Sequence, residues 1–272
     1  MIKISLLLLI LFIIIILYLW SICPNTTRIQ EFAVFNHMAF AHRGYHAKEE
    51  LIPENSMLAF KEAVKHGYGI ELDVHLTKDN QVVVFHDDTL MRLCNIDSTI
   101  ESMTYLELQQ LHLLNTPERI PLLSKVLDYI DGKVPLLIEL KLPTKSTLLC
   151  NYLNKQLKNY DGLYLIQSFN SMGLWWFRLH APAILRGQLS SNLTRKASKE
   201  PLMIRLMIQY LLTNWIGRPD FISYKLADAH NLSLWINQHI FHIPVAVWTL
   251  RSQKAYEDAR ANYNMEIFEK FT

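Results

Sequence analysis

The chain has 272 residues, half of them apolar, and a formal net charge of +2. That balance gives no basic face able to hold nucleic acid by counterion release, and no Lys/Arg run suggests one, so nucleic acid is set aside as a partner. Cys23, Cys94 and Cys150 are odd in number and lack Cys-x-x-Cys spacing, which supports neither a disulfide framework nor a thiolate zinc site.

The first element is a run from Ile4 to Ile22 without a charge. At ~1.5 Å per residue it makes a helix of roughly 28 Å, close to the ~30 Å hydrocarbon core. The run is long for the apolar part of a cleaved signal, and no small-x-small site follows it. We therefore expect residues 1–23 to be an uncleaved membrane anchor and 24–37 a juxtamembrane linker. Lys3 and the amino terminus on one side, against Arg28 on the other, place residues 38–272 outside a cell membrane crossed once. Tyr18 and Trp20 suit the interfacial aromatic belt.

From residue 38 onward, strand-type runs alternate with amphipathic runs, the pattern of parallel α/β architecture. Strands are expected at Met38–His42, Gly69–His75, Pro135–Leu140, Tyr164–Ser168, Ile184–Leu189, Phe221–Tyr224, Val245–Thr249 and Glu266–Phe268. Helices are expected at Asn55–His66, Leu122–Ile130, Ser146–Lys158, Ser171–Leu179, Leu202–Leu212, Ala229–Gln238 and Gln253–Tyr263. Leu76–Arg119 is too long for a simple crossover and reads as an insertion with its own strand, Gln81–Phe85, and a short helix, Thr104–Leu111. Eight strands in roughly 250 residues predict one TIM (β/α)8 barrel.

Polar residues at the C-terminal ends of barrel strands are the ones to suspect of function. Alternation puts Glu71 and Asp73 on one strand face and Leu137, Glu139 and Lys141 on another. Three carboxylates from neighbouring strands so converge, and close carboxylates repel unless a cation neutralises them. From the residues alone, the trio fits salt bridges as well as a hard, oxygen-loving metal. His42 and His86 are imidazoles suited to proton transfer near neutral pH. Arg43 can grip phosphate oxygens bidentately and Lys141 adds a point charge. His75 shares a face with Glu71 and Asp73. Asn55 either faces the site or, with Ser56, caps its helix; Trp248 either stacks on a ligand or fills the core.

The segments His42-Arg43-Gly44, Pro53-Glu54-Asn55-Ser56, Glu71-Leu72-Asp73-Val74 and Val83-Val84-Phe85-His86-Asp87, followed by Ile138-Glu139-Leu140-Lys141, resemble the glycerophosphodiester phosphodiesterase family. The resemblance implies a TIM barrel with an insertion after the second strand, His42 and His86 as catalytic residues, and one divalent cation on Glu71, Asp73 and Glu139. Ca2+ or Mg2+ is expected, with Mn2+ a further candidate. Arg43, Lys141 and Trp248 are the expected substrate contacts. The implied reaction is hydrolysis of a glycerophosphodiester to sn-glycerol 3-phosphate and an alcohol. Rivals are a lysophospholipase D-type or cyclising activity on membrane lysolipids and, from another class, a phosphate-binding protein without catalysis. Two proton-transfer groups argue against the last. The choice of acid and base, and of water or a glycerol hydroxyl as nucleophile, stays open at this point.

Two stretches depart from the family pattern. Many members close the barrel with Thr-Asp-x-Pro, whereas this chain ends Ile267-Phe268-Glu269-Lys270-Phe271-Thr272, with Glu269 as the stand-in. After a polar loop at Ser190–Lys199, Pro201–Ile216 is apolar nearly all round. It is either a helix covered by another loop or one lying on the bilayer beside the barrel mouth, with Arg205 and Arg218 near head groups.

Overall fold

Strands β1 (Ala39–Ala41), β2 (Gly69–Leu76), β3 (Val82–Val84), β4 (Leu136–Leu140), β5 (Tyr164–Ser168), β6 (Arg186–Ser190), β7 (Phe221–Lys225), β8 (Val245–Leu250) and β9 (Met265–Phe268) lie in one sheet. β1 pairs in parallel with both β2 and β9, so β1, β2 and β4 to β9 close an eight-stranded parallel barrel, while β3 hangs antiparallel on the outer edge of β2. The structure, a computed structural model, describes residues 2–144, 146–195 and 201–271.

Alternation along the strands sorts their side chains. Phe40, Leu137, Leu165, Phe221, Ala246 and Ile267 point inward and fill the barrel below the site. Ile70, Leu72, Ile138, Ile222 and Val245 point outward and pack against the helices. Those helices are α1 (Ile2–Ile22), α2 (Met57–Lys65), α3 (Leu123–Ile130), α4 (Leu148–Leu157), α5 (Ser171–His180), α6 (Leu202–Gln209), α7 (Asn214–Gly217), α8 (Leu232–His239) and α9 (Gln253–Asn262). The insertion after β2 has a small core of its own, in which Val83, Phe85, Leu90, Ile100 and Ile120 are buried.

The expected elements are present, with shifts at several ends. Ser56 caps α2, its hydroxyl accepting from the Ala59 amide at 3.1 Å, so Asn55 is free for another task. α8 starts at Leu232 rather than Ala229 because Leu226–Asp228 forms a 3-10 turn and Asn231 supplies the cap. β6 starts at Arg186, whose amide donates to the Asp220 carboxylate, and extends to Ser190.

The long apolar helix expected from Leu202 to Leu212 is broken. α6 ends at Gln209, Leu211 takes a left-handed φ of 56°, and α7 follows. Leu202, Met203 and Ile204 are exposed, so no loop among the described residues covers the first turn. Residues 196–199 of the expected polar loop lie outside the described residues.

α1 is long and apolar enough to cross a membrane. Its last turn is packed on the barrel: Trp20 stacks on Trp215 at 5.1 Å, Asn214 donates to the Ile22 carbonyl at 2.9 Å, and Ile22 is buried. Asn25, just beyond the helix, donates through its side chain to Asp220 at 2.8 Å.

Candidate active site

The upper ends of β1, β2, β4, β5 and β8 converge on a cavity of about 40 Å3 lined by His42, Arg43, Glu71, His86, Glu139, Gln167 and Trp248, room for about three water-sized groups. A larger depression of about 460 Å3 lies at the opposite end, among Asp128, Asp131, Gln156 and Asp161. It gathers no comparable chemistry, and barrel sites sit at the C-terminal ends of strands.

Register brings the acidic side chains together. Asp73 stands beside Glu139 across the β2–β4 pairing, and Glu139 beside Gln167 across β4–β5. Oxygens of Glu71, Asp73 and Glu139, all buried, lie within 4.8 Å of one another. Burial first, then the charges of Asp73 and Glu139, push the Glu71 carboxyl well above the usual carboxylate range. Burial likewise raises Glu139. Asp73 stays ionised despite burial because Lys141, His86 and Arg43 face it.

Lys141, half-buried, stands between two of these acids, 3.0 Å from Asp73 Oδ1 and 2.5 Å from Glu139 Oε1. Arg43 Nη1 donates to Glu54 Oε1 at 2.6 Å, while its Nε, 3.7 Å from Asp73, makes no hydrogen bond. The donor set of the trio is oxygen only and arrives pre-gathered, with two carboxyls under mutual repulsion that a cation would relieve. It therefore fits a hard divalent ion.

The loop after β1 is bent to serve these groups. Arg43, Gly44 and Asn55 all have left-handed φ, of 56°, 79° and 54°, a conformation costly outside glycine that concentrates at functional sites. The bend is held because the Arg43 amide donates to Glu71 Oε2 at 3.0 Å and the Asn55 amide donates to the Arg43 carbonyl at 2.9 Å. Asn55 Nδ2 then donates to Asp73 Oδ2 at 2.8 Å, which gives this residue its place at the site.

Each cavity-lining histidine is held from behind in the same way. His42 Nδ1–H donates to Glu269 Oε1 at 2.9 Å, and Arg251 grips both Glu269 oxygens at 2.6 and 2.9 Å. His86 Nδ1–H donates to Asp87 Oδ1 at 2.6 Å, and Arg92 grips Asp87 and reaches on to both oxygens of Glu54. Although burial opposes their ionisation, the histidine and arginine beside each hold the Glu269 and Asp87 carboxyls below the usual range. Arg92 and Arg43 together hold Glu54 at about 2, against burial. With Nδ1 occupied as a donor, Nε2 is the remaining working nitrogen of each ring. Burial pushes His42 down to about 4, so its ring is neutral at pH 7.

Trp248 lines the cavity and meets Phe169 edge-on at 6.1 Å. His75, on the face of Glu71 and Asp73, is fully buried and donates from Nδ1 to Glu101 at 2.7 Å. It ties the insertion to β2 and lies outside the cavity lining. Gln167, Arg92 and Arg251 join the expected residues at the site. No local motif marks them, because each reaches the site from a separate part of the chain.

A sequence profile of the Glycerophosphoryl diester phosphodiesterase family matches residues 42–269. A glycerophosphodiester phosphodiesterase of Caldanaerobacter subterraneus subsp. tengcongensis is 33% identical over 164 residues, 56% of this chain and 66% of that protein. A human lysophospholipase D is 34% identical over 138 residues, 46% of this chain and 42% of the relative. The chain thus spans no more than about two thirds of the length of these curated relatives. In fold, it is similar to an Oleispira antarctica phosphodiesterase solved with its product sn-glycerol-3-phosphate, at a TM-score of 0.69 and 22% identity over 86% of this chain and 94% of that one.

Proposed function

For a chain that belongs to the glycerophosphoryl diester phosphodiesterase family, we propose a membrane-anchored, divalent-metal-dependent phosphodiesterase that hydrolyses glycerophosphodiesters to sn-glycerol 3-phosphate and an alcohol. One observation carries the reading. Two histidines, each with Nδ1 held by an arginine-gripped carboxylate, line one small cavity with Glu71 and Glu139.

A phosphodiester resists attack because its charge repels nucleophiles and its leaving alkoxide is strongly basic. His42, neutral through burial, takes the proton from the attacking hydroxyl at Nε2, and the Glu269 carboxylate stabilises the imidazolium that results. His86, oriented by Asp87, gives a proton from Nε2 to the departing alkoxide. Positioned proton transfer of this kind contributes typically ~10² to 10⁴-fold per group. Arg43 lines the cavity, where its guanidinium would meet a phosphoryl oxygen, and its Nε has a hydrogen bond still to make. Lys141 keeps Asp73 ionised beside Glu139. Trp248 forms an apolar wall for the departing group.

Glu71, Asp73 and Glu139 would hold the cation. Bound there, it would neutralise phosphoryl charge and lower the pKa of a coordinated hydroxyl. Ca2+ and Mg2+ suit an all-oxygen set, and Mn2+ is a third candidate. The reading is tested by release of sn-glycerol 3-phosphate from glycerophosphocholine with each ion and with chelator. Turnover that persists in chelator removes the metal from the mechanism, and no turnover with any ion favours a binding protein.

The exposed first turn of α6 favours a second reading, in which the diester is a membrane lysolipid and the activity is of lysophospholipase D type. A panel of water-soluble diesters and vesicle-held lysolipids separates the two by their kcat/KM.

A further inference from the structure

The path of α1 fixes where a membrane would stand relative to the catalytic cavity. Its C-terminal end meets the N-terminal ends of the strands: Asn214 holds the Ile22 carbonyl, Arg218 donates to the Cys23 carbonyl, and the Asn25 amide donates to Pro219, two residues before β7. Four residues earlier in the helix, the Tyr18 hydroxyl meets Ser233 Oγ at 2.8 Å. Ser233 lies in the first turn of α8, after β7 and hence toward the cavity end. Read from residue 22 back to residue 18, α1 climbs the barrel wall from its closed end toward its mouth. Residues 4–17, exposed throughout, leave on the mouth side.

The mouth is apolar on that side. Leu148 at the start of α4, Met172 in α5, Leu202 and Met203 in α6, and Leu232 and Trp235 in α8 are 41–68% exposed. All sit in the first turns of helices that follow strands, so all lie at the cavity end. Exposed Val34, Leu163, Leu179 and Ile240 are scattered over separate elements, with no apolar helix leaving beside them.

The helix length links the two features. Residues 4–17 rise roughly 21 Å, short of a ~30 Å hydrocarbon core. The span is completed only by the turn carrying Tyr18 and Trp20, which is packed on the barrel wall. A bilayer crossed by α1 therefore comes down to the level of α8's first turn and meets Leu232, Trp235 and their neighbours.

We infer that the barrel mouth is apposed to the bilayer, with α1 and the apolar rim of α4, α5, α6 and α8 forming one membrane-facing surface from which diesters held in the lipid enter the cavity. This rests on the proposed anchor and hydrolase, and it adds which face meets the lipid. The anchor is tested first: release of the full chain from membranes by carbonate washing sinks both the anchor and the apposition.

With the full chain in phosphatidylcholine vesicles, the combined substitutions Met203→Glu, Leu232→Glu and Trp235→Glu are expected to lower hydrolysis of vesicle-held lysophosphatidylcholine at least ten-fold and to leave soluble glycerophosphocholine within two-fold. Equal effects on both substrates, or none, overturn the apposition. A readout independent of turnover is quenching of tryptophan emission by phosphatidylcholine with brominated chains. Trp235→Phe is expected to lose a quenched component, and identical quenching of wild type and variant overturns the proposal. Should the wild type hydrolyse neither substrate, the hydrolase reading fails and the quenching comparison alone decides the apposition.

Discussion

At the scale of single residues, the site is two copies of one device, a cavity-lining imidazole backed by a carboxylate that an arginine holds ionised. Replacing His42 or His86 by Ala is expected to lower kcat by ~10² to 10⁴-fold with little change in Tm, because neither ring is a large part of the core. Glu269→Gln keeps the shape but cannot stabilise a charged His42. A kcat loss of roughly 10- to 100-fold is expected, the usual effect of removing the partner that orients a working histidine. Unchanged kcat would demote Glu269 to packing. The pH dependence follows from the sign of the His42 shift. Burial lowers its pKa to about 4, so the ring is a free base above that value, and loss of kcat/KM through His42 itself should set in only as pH drops through about 4. An acid limb centred near 6.5 would place the base elsewhere. Glu54, absent from the expected site, is held at about 2 by Arg92 and Arg43 and joins the two halves of the cavity wall. Its Pro-Glu-Asn setting marked the segment, but its partner Arg92 was hidden 38 residues away.

At the scale of elements, the loop between β1 and α2 carries the strain and the capping that supports it. Gly44 takes φ of 79°, and a Cβ there would come within 2.9 Å of Ala59 and Phe60. Gly44→Ala should therefore lower both stability and activity, as Arg43 and Asn55 are displaced together. Ser56→Ala removes the α2 cap at a cost of about 1 kcal/mol; chemical denaturation checks it. A loss of activity in Ser56→Ala at temperatures where the fold is intact would show the cap acting on the site as well. The insertion is legible in the sequence by its length alone, whereas its attachment through His75 and Glu101 depends on two residues 26 apart.

At the scale of the whole molecule, α1 is both a helix long and apolar enough to cross a membrane and a piece of the barrel wall. Ile22 is fully buried, and Trp20 stacks on Trp215 with the Arg218 guanidinium over its ring. A chain starting at Tyr18 should keep the thermal stability of the full chain. A chain starting at Cys23 should lose about 2 kcal/mol, a Tm lower by roughly 4–8 °C; equal Tm values would show the last turn to be an idle passenger. The barrel, the apolar run of α1 and the gathering of His42, His86, Glu71, Asp73 and Glu139 were legible in the chain's local patterns. Strand alternation and the motif segments are local properties, and they survive without knowledge of what packs where. Folding alone sets Lys141 between acids, turns Asn55 to Asp73, brings Arg92 and Arg251 to the site and sends α1 out on the side of the mouth. Each of those is a pairing between distant stretches, fixed by register and packing rather than by any residue's own neighbourhood.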